Sequence, residues 1–170
     1  MLGRPERDEA APYYFSYIDQ VSGDDVVALL EQQSDELGMW CAAISEERSL
    51  HRYALDKWSI RQVLNHVTDT ERSFAFRAFW FARGFDGALP NFDQTICATA
   101  AEADSVKWGQ HVLEFRAVRL STVALFKHLP AAAWWRSGIA SDNHFTVRSL
   151  AYIIAGHAQH HLTILKERYQ

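Results

Sequence analysis

Apolar residues recur at helical spacing in four long stretches of the chain, and no stretch shows the alternation of a convincing strand. The first stretch opens near Ser22-Gly23-Asp24, carries Val26, Leu29, Leu30, Leu37 and Trp40, and fades near Arg48. Ser22 or Asp24 is its expected N-cap. The second has a sharper start: Ser59-Ile60-Arg61-Gln62 fits a capping box, with a hydroxyl at the cap and an amide three residues on. From there Ile60, Val63, Leu64, Val67, Phe74, Ala78 and Phe81 keep the period to about Arg83, and Gly84 ends it. A loop of roughly 17 residues follows, longer than adjacent antiparallel helices need. The spacing predicts a third helix from about Ala101 to Leu129, stopped by Pro130, and a fourth from Thr146. The predicted fold is all-α: a four-helix bundle of long antiparallel helices with a long connection between helices 2 and 3. The length of that connection suggests a crossover. Residues 1–170 read as one domain, with residues 1–21 as an N-terminal extension.

Composition narrows the class. Hydrophobic residues make up 48% and charged residues 22%, which excludes a disordered chain. The 17 basic and 21 acidic side chains give a net charge of −4 without a basic block, so nucleic acid is not an expected partner. No apolar run approaches the roughly 20 residues that span a bilayer, and the first residues lack a signal-like core, so no membrane partner is expected either. Cys41 and Cys97 form no CxxC pattern, which places the chain in a reducing, cytoplasmic setting. Six Trp, ten Phe and six Tyr point to a core of large rings or an aromatic-lined pocket.

The fourth stretch holds the most informative chemistry. Leu150, Ile153, Ile154, Ile164 and Leu165 form its apolar face, and His157 and His161 continue that face where Leu or Ile would be expected. At i and i+4 the two rings sit about 6 Å apart along the axis and about 40° apart around it. Inward imidazoles are costly unless each ring nitrogen has a partner, and a divalent metal would satisfy both. Hydrogen-bonded core histidines are the ordinary alternative. A third candidate comes from a repeated helix start: Trp58-Ser59-Ile60-Arg61 and Phe145-Thr146-Val147-Arg148 share the order aromatic, hydroxyl cap, β-branched, arginine. Counted from each cap, His66, His157 and His161 fall at about 340°, 20° and 60°, on equivalent faces. Chance recurrence of a common capping pattern explains the repeat equally well.

Trp58-Ser59-Ile60-Arg61-Gln62-Val63-Leu64-Asn65-His66-Val67-Thr68-Asp69, followed by Glu71 and by His157-x-x-x-His161, resembles the DinB/YfiT-like superfamily. The resemblance spans roughly residues 25–170 and is most specific around the second and fourth helices. It implies a four-helix bundle, often a homodimer, with one metal-ligating histidine on the second helix and two on the fourth. Those positions are His66, His157 and His161. Zinc or nickel is the expected cation, and imidazole also suits iron and copper. Relatives include thiol-dependent transferases and isomerases, so the implied function is a thiol-dependent transferase or isomerase on a small-molecule substrate, with a low-molecular-weight thiol as possible cofactor. Hydrolase chemistry is also within the class. The alternative is a non-enzymatic, stress-related dimeric metal-binding protein. The additional His160 leaves the ligand set slightly open.

The remaining candidates carry weaker signals. Asp69, three residues after His66, is placed to accept its second N–H, or is a solvated charge. Arg61, Arg72 and Arg77 suit an anionic substrate or ordinary salt bridges. Trp134 and Trp135 suit a pocket roof or a loop anchor. His51, His111, His128 and His144 are isolated, and Cys97 has no adjacent base. The Phe74, Phe76, Phe79, Trp80, Phe81 run rings the second helix more widely than one core can cover, which favours association.

Overall fold

The two predicted caps both form. The Ser59 hydroxyl accepts from the Gln62 N–H at 3.1 Å, and the Gln62 side chain accepts from the Ser59 N–H at 3.0 Å. Thr146 and Ser149 make the same reciprocal pair at 3.0 and 3.1 Å. Each box satisfies two otherwise orphaned N–H groups at a helix start. The computed structural model describes residues 2–170. Its helices are α1 (Phe15–Ile18), α2 (Val26–Ala42), α3 (Ile60–Ala82), α4 (Gln94–Ala100), α5 (Trp108–Lys127) and α6 (Val147–Arg168). None among the described residues is long and apolar enough to cross a membrane.

The boundaries depart from the periodic pattern where polar chemistry intervenes. Asp25, not Ser22 or Asp24, caps α2, accepting from the N–H groups of Val27 and Ala28. Helix α5 starts at Trp108 rather than near Ala101. Glu102 takes a left-handed φ of 46°, and the Trp108 N–H is met by Glu46 Oε2 at 3.0 Å. The stretch between α3 and α5, expected as loop, carries α4 and a 3₁₀ turn at Ala103–Ser105. Strands β1 (Ser137–Ala140) and β2 (Asn143–Thr146) form an antiparallel hairpin, so the fold is not strictly all-α. Ser141 and Asp142 both take positive φ in its two-residue turn, which matches the twist of a hairpin. Four-residue strands are too short to betray themselves by alternation.

Side-chain pairings fix the direction of each long helix. Trp58 meets Tyr169 and Phe74 meets Phe145, so α3 and α6 run antiparallel. Trp108 donates to the Cys41 carbonyl and Lys127 pairs with Glu31, so α2 and α5 do too. By contrast, Arg61 donates to the Val106 carbonyl and Arg119 pairs with Glu71, which makes α3 and α5 parallel. Tyr152 donates to the Gly23 carbonyl and Lys166 pairs with Glu36, so α2 and α6 are parallel as well. The all-antiparallel expectation fails at these two contacts. A parallel pair obliges residues 83–107 to return along the bundle.

Two apolar clusters fill the interior, one around Leu30, Phe81, Tyr152 and Ile153, the other around Leu64, Phe115, Leu162 and Leu165. Between them in sequence on each helix lies a buried polar side chain: Gln33, Glu71, Arg119 and His157. Arg119 and Glu71 pair at 2.7 Å with exposures of 0% and 2%. Arg119 also donates to the Leu30 carbonyl and to Gln33, so each nitrogen of its fork has a partner. The segment 2–21 packs against the bundle. Phe15 and Ile18 are buried in the first cluster, and Glu9 pairs with Arg148 at the start of α6.

Candidate metal centre

His66 lies two turns into α3 and His157 and His161 lie in the middle of α6, on faces that meet because the helices run antiparallel. His66 Nε2 and His161 Nε2 each lie 3.1 Å from His157 Nε2. One ligand atom from each of the three residues lies within 4.8 Å of the others. The structure therefore brings together all three histidines singled out from the sequence. His66 and His157 are each 5% exposed. Burial pushes His66 down to about 4, only partly offset by the Asp69 charge. Burial and then the neighbouring His66 and His160 push His161 down to about 3, and His157 is lowered in the same way. At neutral pH the cluster is three neutral imidazoles with nitrogen atoms converging on one point.

Nε2 of His157 contacts two other Nε2 atoms, yet it carries a single lone pair or a single N–H, so it cannot make a well-directed hydrogen bond to both. A cation accepts lone pairs from all three at once. The donor set, its burial and its neutrality fit a divalent metal of the nitrogen-binding kind.

Around the cluster, some expectations change. Asp69 does not hold His66. It pairs with Arg72 at 2.9 Å and accepts from Cys97 Sγ at 3.4 Å. The group beside His66 Nδ1 is Thr70 Oγ1, at 3.4 Å. Thr70 follows His66 by one turn, and that i+4 spacing was the overlooked signal. His160 is turned away, with Nδ1 3.2 Å from Gln20 Nε2. His111 and His128 meet the carbonyls of Ala103 and Ala124, and neither joins the cluster. Trp134 is buried against Phe126 and Trp135 carries the Arg148 guanidinium on its face, so both act as anchors. Burial raises the Cys97 thiol, and the nearby Asp69 charge adds to this.

Two recesses border the histidines. A cavity of about 330 Å³ reaches His157 between tyrosines 13, 14 and 17 on one side and Thr70, Phe74 and Arg77 on the other. A second of about 230 Å³ reaches His161 beside Trp58, Tyr53 and Tyr169. The first cavity is walled by the N-terminal segment, which the periodicity of the four helices did not reveal. Tyr17 stands edge-on to His157 with ring centroids 5.3 Å apart.

A family model described as the DinB superfamily matches residues 7–165. Among solved structures, the chain is similar to YfiT from Bacillus subtilis, described as a probable metal-dependent hydrolase with an unusual four-helix bundle topology. The likeness has a TM-score of 0.76 at 14% identity, and covers 97% of this chain and 91% of that one. At that identity the likeness establishes the fold. None of the curated proteins compared with the chain matches it.

Proposed function

The chain belongs to the DinB superfamily, and from that premise we propose that it is a metal-dependent enzyme acting on a small molecule, with His66, His157 and His161 as the metal ligands. The observation that carries this is the convergence of three neutral imidazole nitrogens within 4.8 Å beside an open cavity, with His66 and His157 buried and His161 half-buried. Such a cation would supply Lewis acidity and would lower the pKa of a bound water or thiol. The chain's own residues do the rest. Thr70 steadies the His66 ring through Nδ1, Trp58 packs on that ring with centroids 5.0 Å apart, and Tyr17 screens His157 from water.

Within this class we favour thiol-dependent transfer or isomerisation, because two separate recesses border one cluster and would admit a thiol and a second reactant from different sides. Hydrolysis is the second reading, favoured by the likeness to YfiT. A purely structural metal would call for a fourth protein ligand, and among the described residues the cluster has three. Zinc or nickel remains the metal we assign, the cytoplasm the setting, and a homodimer the form in solution.

The test begins with metal analysis of the purified protein. One equivalent of metal is expected, lost in His157→Ala and kept in His128→Ala and His160→Ala. The loaded protein is then assayed with a panel of small thiols and electrophiles and with ester and amide substrates. Thiol-dependent turnover supports transfer, thiol-independent turnover supports hydrolysis, and a loaded protein inert to both panels overturns the enzymatic reading.

A further inference from the structure

The sequence offered three arginines for an anionic substrate, and the structure separates them. Arg61 pairs with Glu46 at 2.7 Å, and Arg72 pairs with Asp69 and Glu114. Arg77 has no carboxylate within pairing distance among the described residues, although it is only 4% exposed. Its Nη2 donates to Ser141 Oγ at 2.8 Å and more weakly to the Pro90 carbonyl at 3.4 Å. Phe74 and Phe145 lie beneath the guanidinium, 5.3 and 6.0 Å from its carbon. A guanidinium this buried without a counter-charge is costly, and buried charges are ordinarily paired. Arg77 lines the cavity that reaches His157.

We infer that this cavity takes a small molecule bearing a carboxylate, with Arg77 as its anchor and the reactive part of the molecule directed at the three histidines. The inference rests on the proposal that those histidines are the reactive centre. Helix geometry supports the direction. Arg77 follows His66 by 11 residues, three turns on nearly the same face and about 16 Å along the axis. Side chains on a helix lean toward its N-terminus, so the guanidinium leans from its own turn toward the cluster.

The remaining walls favour a monoanion with an apolar body. Among the described residues Arg77 is the one cationic side chain lining the cavity, so a phosphate dianion would be left with half its charge unmatched. The one carboxylate there, Asp93, is exposed and already accepts from the N–H groups of Thr95 and Ile96. Tyr14, Phe74 and Phe92 supply ring surface, while Thr70 and Ser141 supply hydroxyls.

Binding of 4-phenylbutyrate, its amide and phenyl phosphate to the full chain, measured by calorimetry after chelation of metal, tests this without turnover. The carboxylate is expected to bind at least tenfold more tightly than the amide, and Arg77→Gln to erase that ratio while Arg77→Lys keeps part of it. The Arg77 Nε–H resonance should shift with the carboxylate and not with the amide, which decides the matter even if the Gln variant fails to fold. Equal affinity for acid and amide overturns the proposal, as does unchanged carboxylate binding in a folded Arg77→Gln protein. Tighter binding of phenyl phosphate overturns the choice of a carboxylate. Because the measurement is made on metal-free protein, its failure leaves the metal assignment standing, and loss of metal stoichiometry leaves the anchor standing.

Discussion

Gly156 lies against the backbone carbonyl of Tyr17, so closely that a Cβ on residue 156 has no room. The contact lets the N-terminal segment press onto α6 one residue before His157, where the Tyr17 ring stands edge-on to that histidine. Glycine within a helix ordinarily costs about 1 kcal/mol relative to alanine, so its presence here needs a packing reason.

Gly156→Ala should therefore destabilise the protein despite the better helix propensity. Overpacking against backbone costs about 2–3 kcal/mol, because a carbonyl cannot swing aside as a side chain can. A fall in Tm of about 5 °C is expected, with faster chemical modification of His157 as Tyr17 is displaced. An unchanged or raised Tm would mean that the N-terminal segment is not fixed by this contact.

The pair Arg119–Glu71 lends itself to a comparison of single and double variants. Glu71→Gln leaves a buried guanidinium without its counter-charge and should cost about 3–5 kcal/mol. Replacing both, as Glu71→Leu with Arg119→Met, should cost clearly less, since no buried charge remains. Urea midpoints measure this. A double variant as unstable as Glu71→Gln would show that the pair stabilises the bundle outright.

What the sequence revealed and what it hid follow from how far apart the causes lie. The capping box at Ser59 and the hydroxyl cap at Thr146 are local, and so is the i, i+4 spacing of His157 and His161, so these were readable in the chain. His66 required a comparison of two helix starts almost ninety residues apart, and it joins the cluster. The length of the connection suggested a crossover, but the parallel packing of α3 on α5 is fixed by pairs such as Glu71 with Arg119 that carry no pattern of their own. Nor was the burial of Phe15 and Ile18, in a segment too short to show helical period. Arg77 looked like Arg61 and Arg72 until their neighbours were visible.

The exposed rings on α3 bear on association. Phe74 and Phe81 are buried, but Phe76 is 51% and Phe79 is 38% exposed. Together with Val118 and Leu125 of α5 they line an apolar groove. If the protein is a homodimer through this face, Phe76→Lys with Phe79→Lys should yield a monomer by light scattering at micromolar concentration with an intact helical spectrum. A wild-type mass equal to one chain would end the dimer proposal.

The pH dependence of the metal-free protein follows from the three neutral histidines. His66 is held at about 4 and His161 at about 3, against about 6.5 in an unfolded chain. Between these values the unfolded chain binds protons that the folded chain refuses, so stability rises with pH. It is fully present above pH 6.5 and is lost as the pH falls toward the folded values, with His66 alone contributing on the order of 3 kcal/mol. Above pH 5 most carboxylates stay ionised, so the window from 6.5 to 5 isolates the histidines. Urea midpoints of chelated protein should fall steadily across it, and less steeply in His66→Gln. Metal affinity of the folded protein should stay nearly constant over the same window, because no proton has to leave the site first. Exposed histidines would instead lose affinity below about pH 6.5. A flat stability curve between pH 7 and 5 would show that the cluster is hydrated and protonates normally, and it would remove the physical basis for a dry, pre-deprotonated metal site.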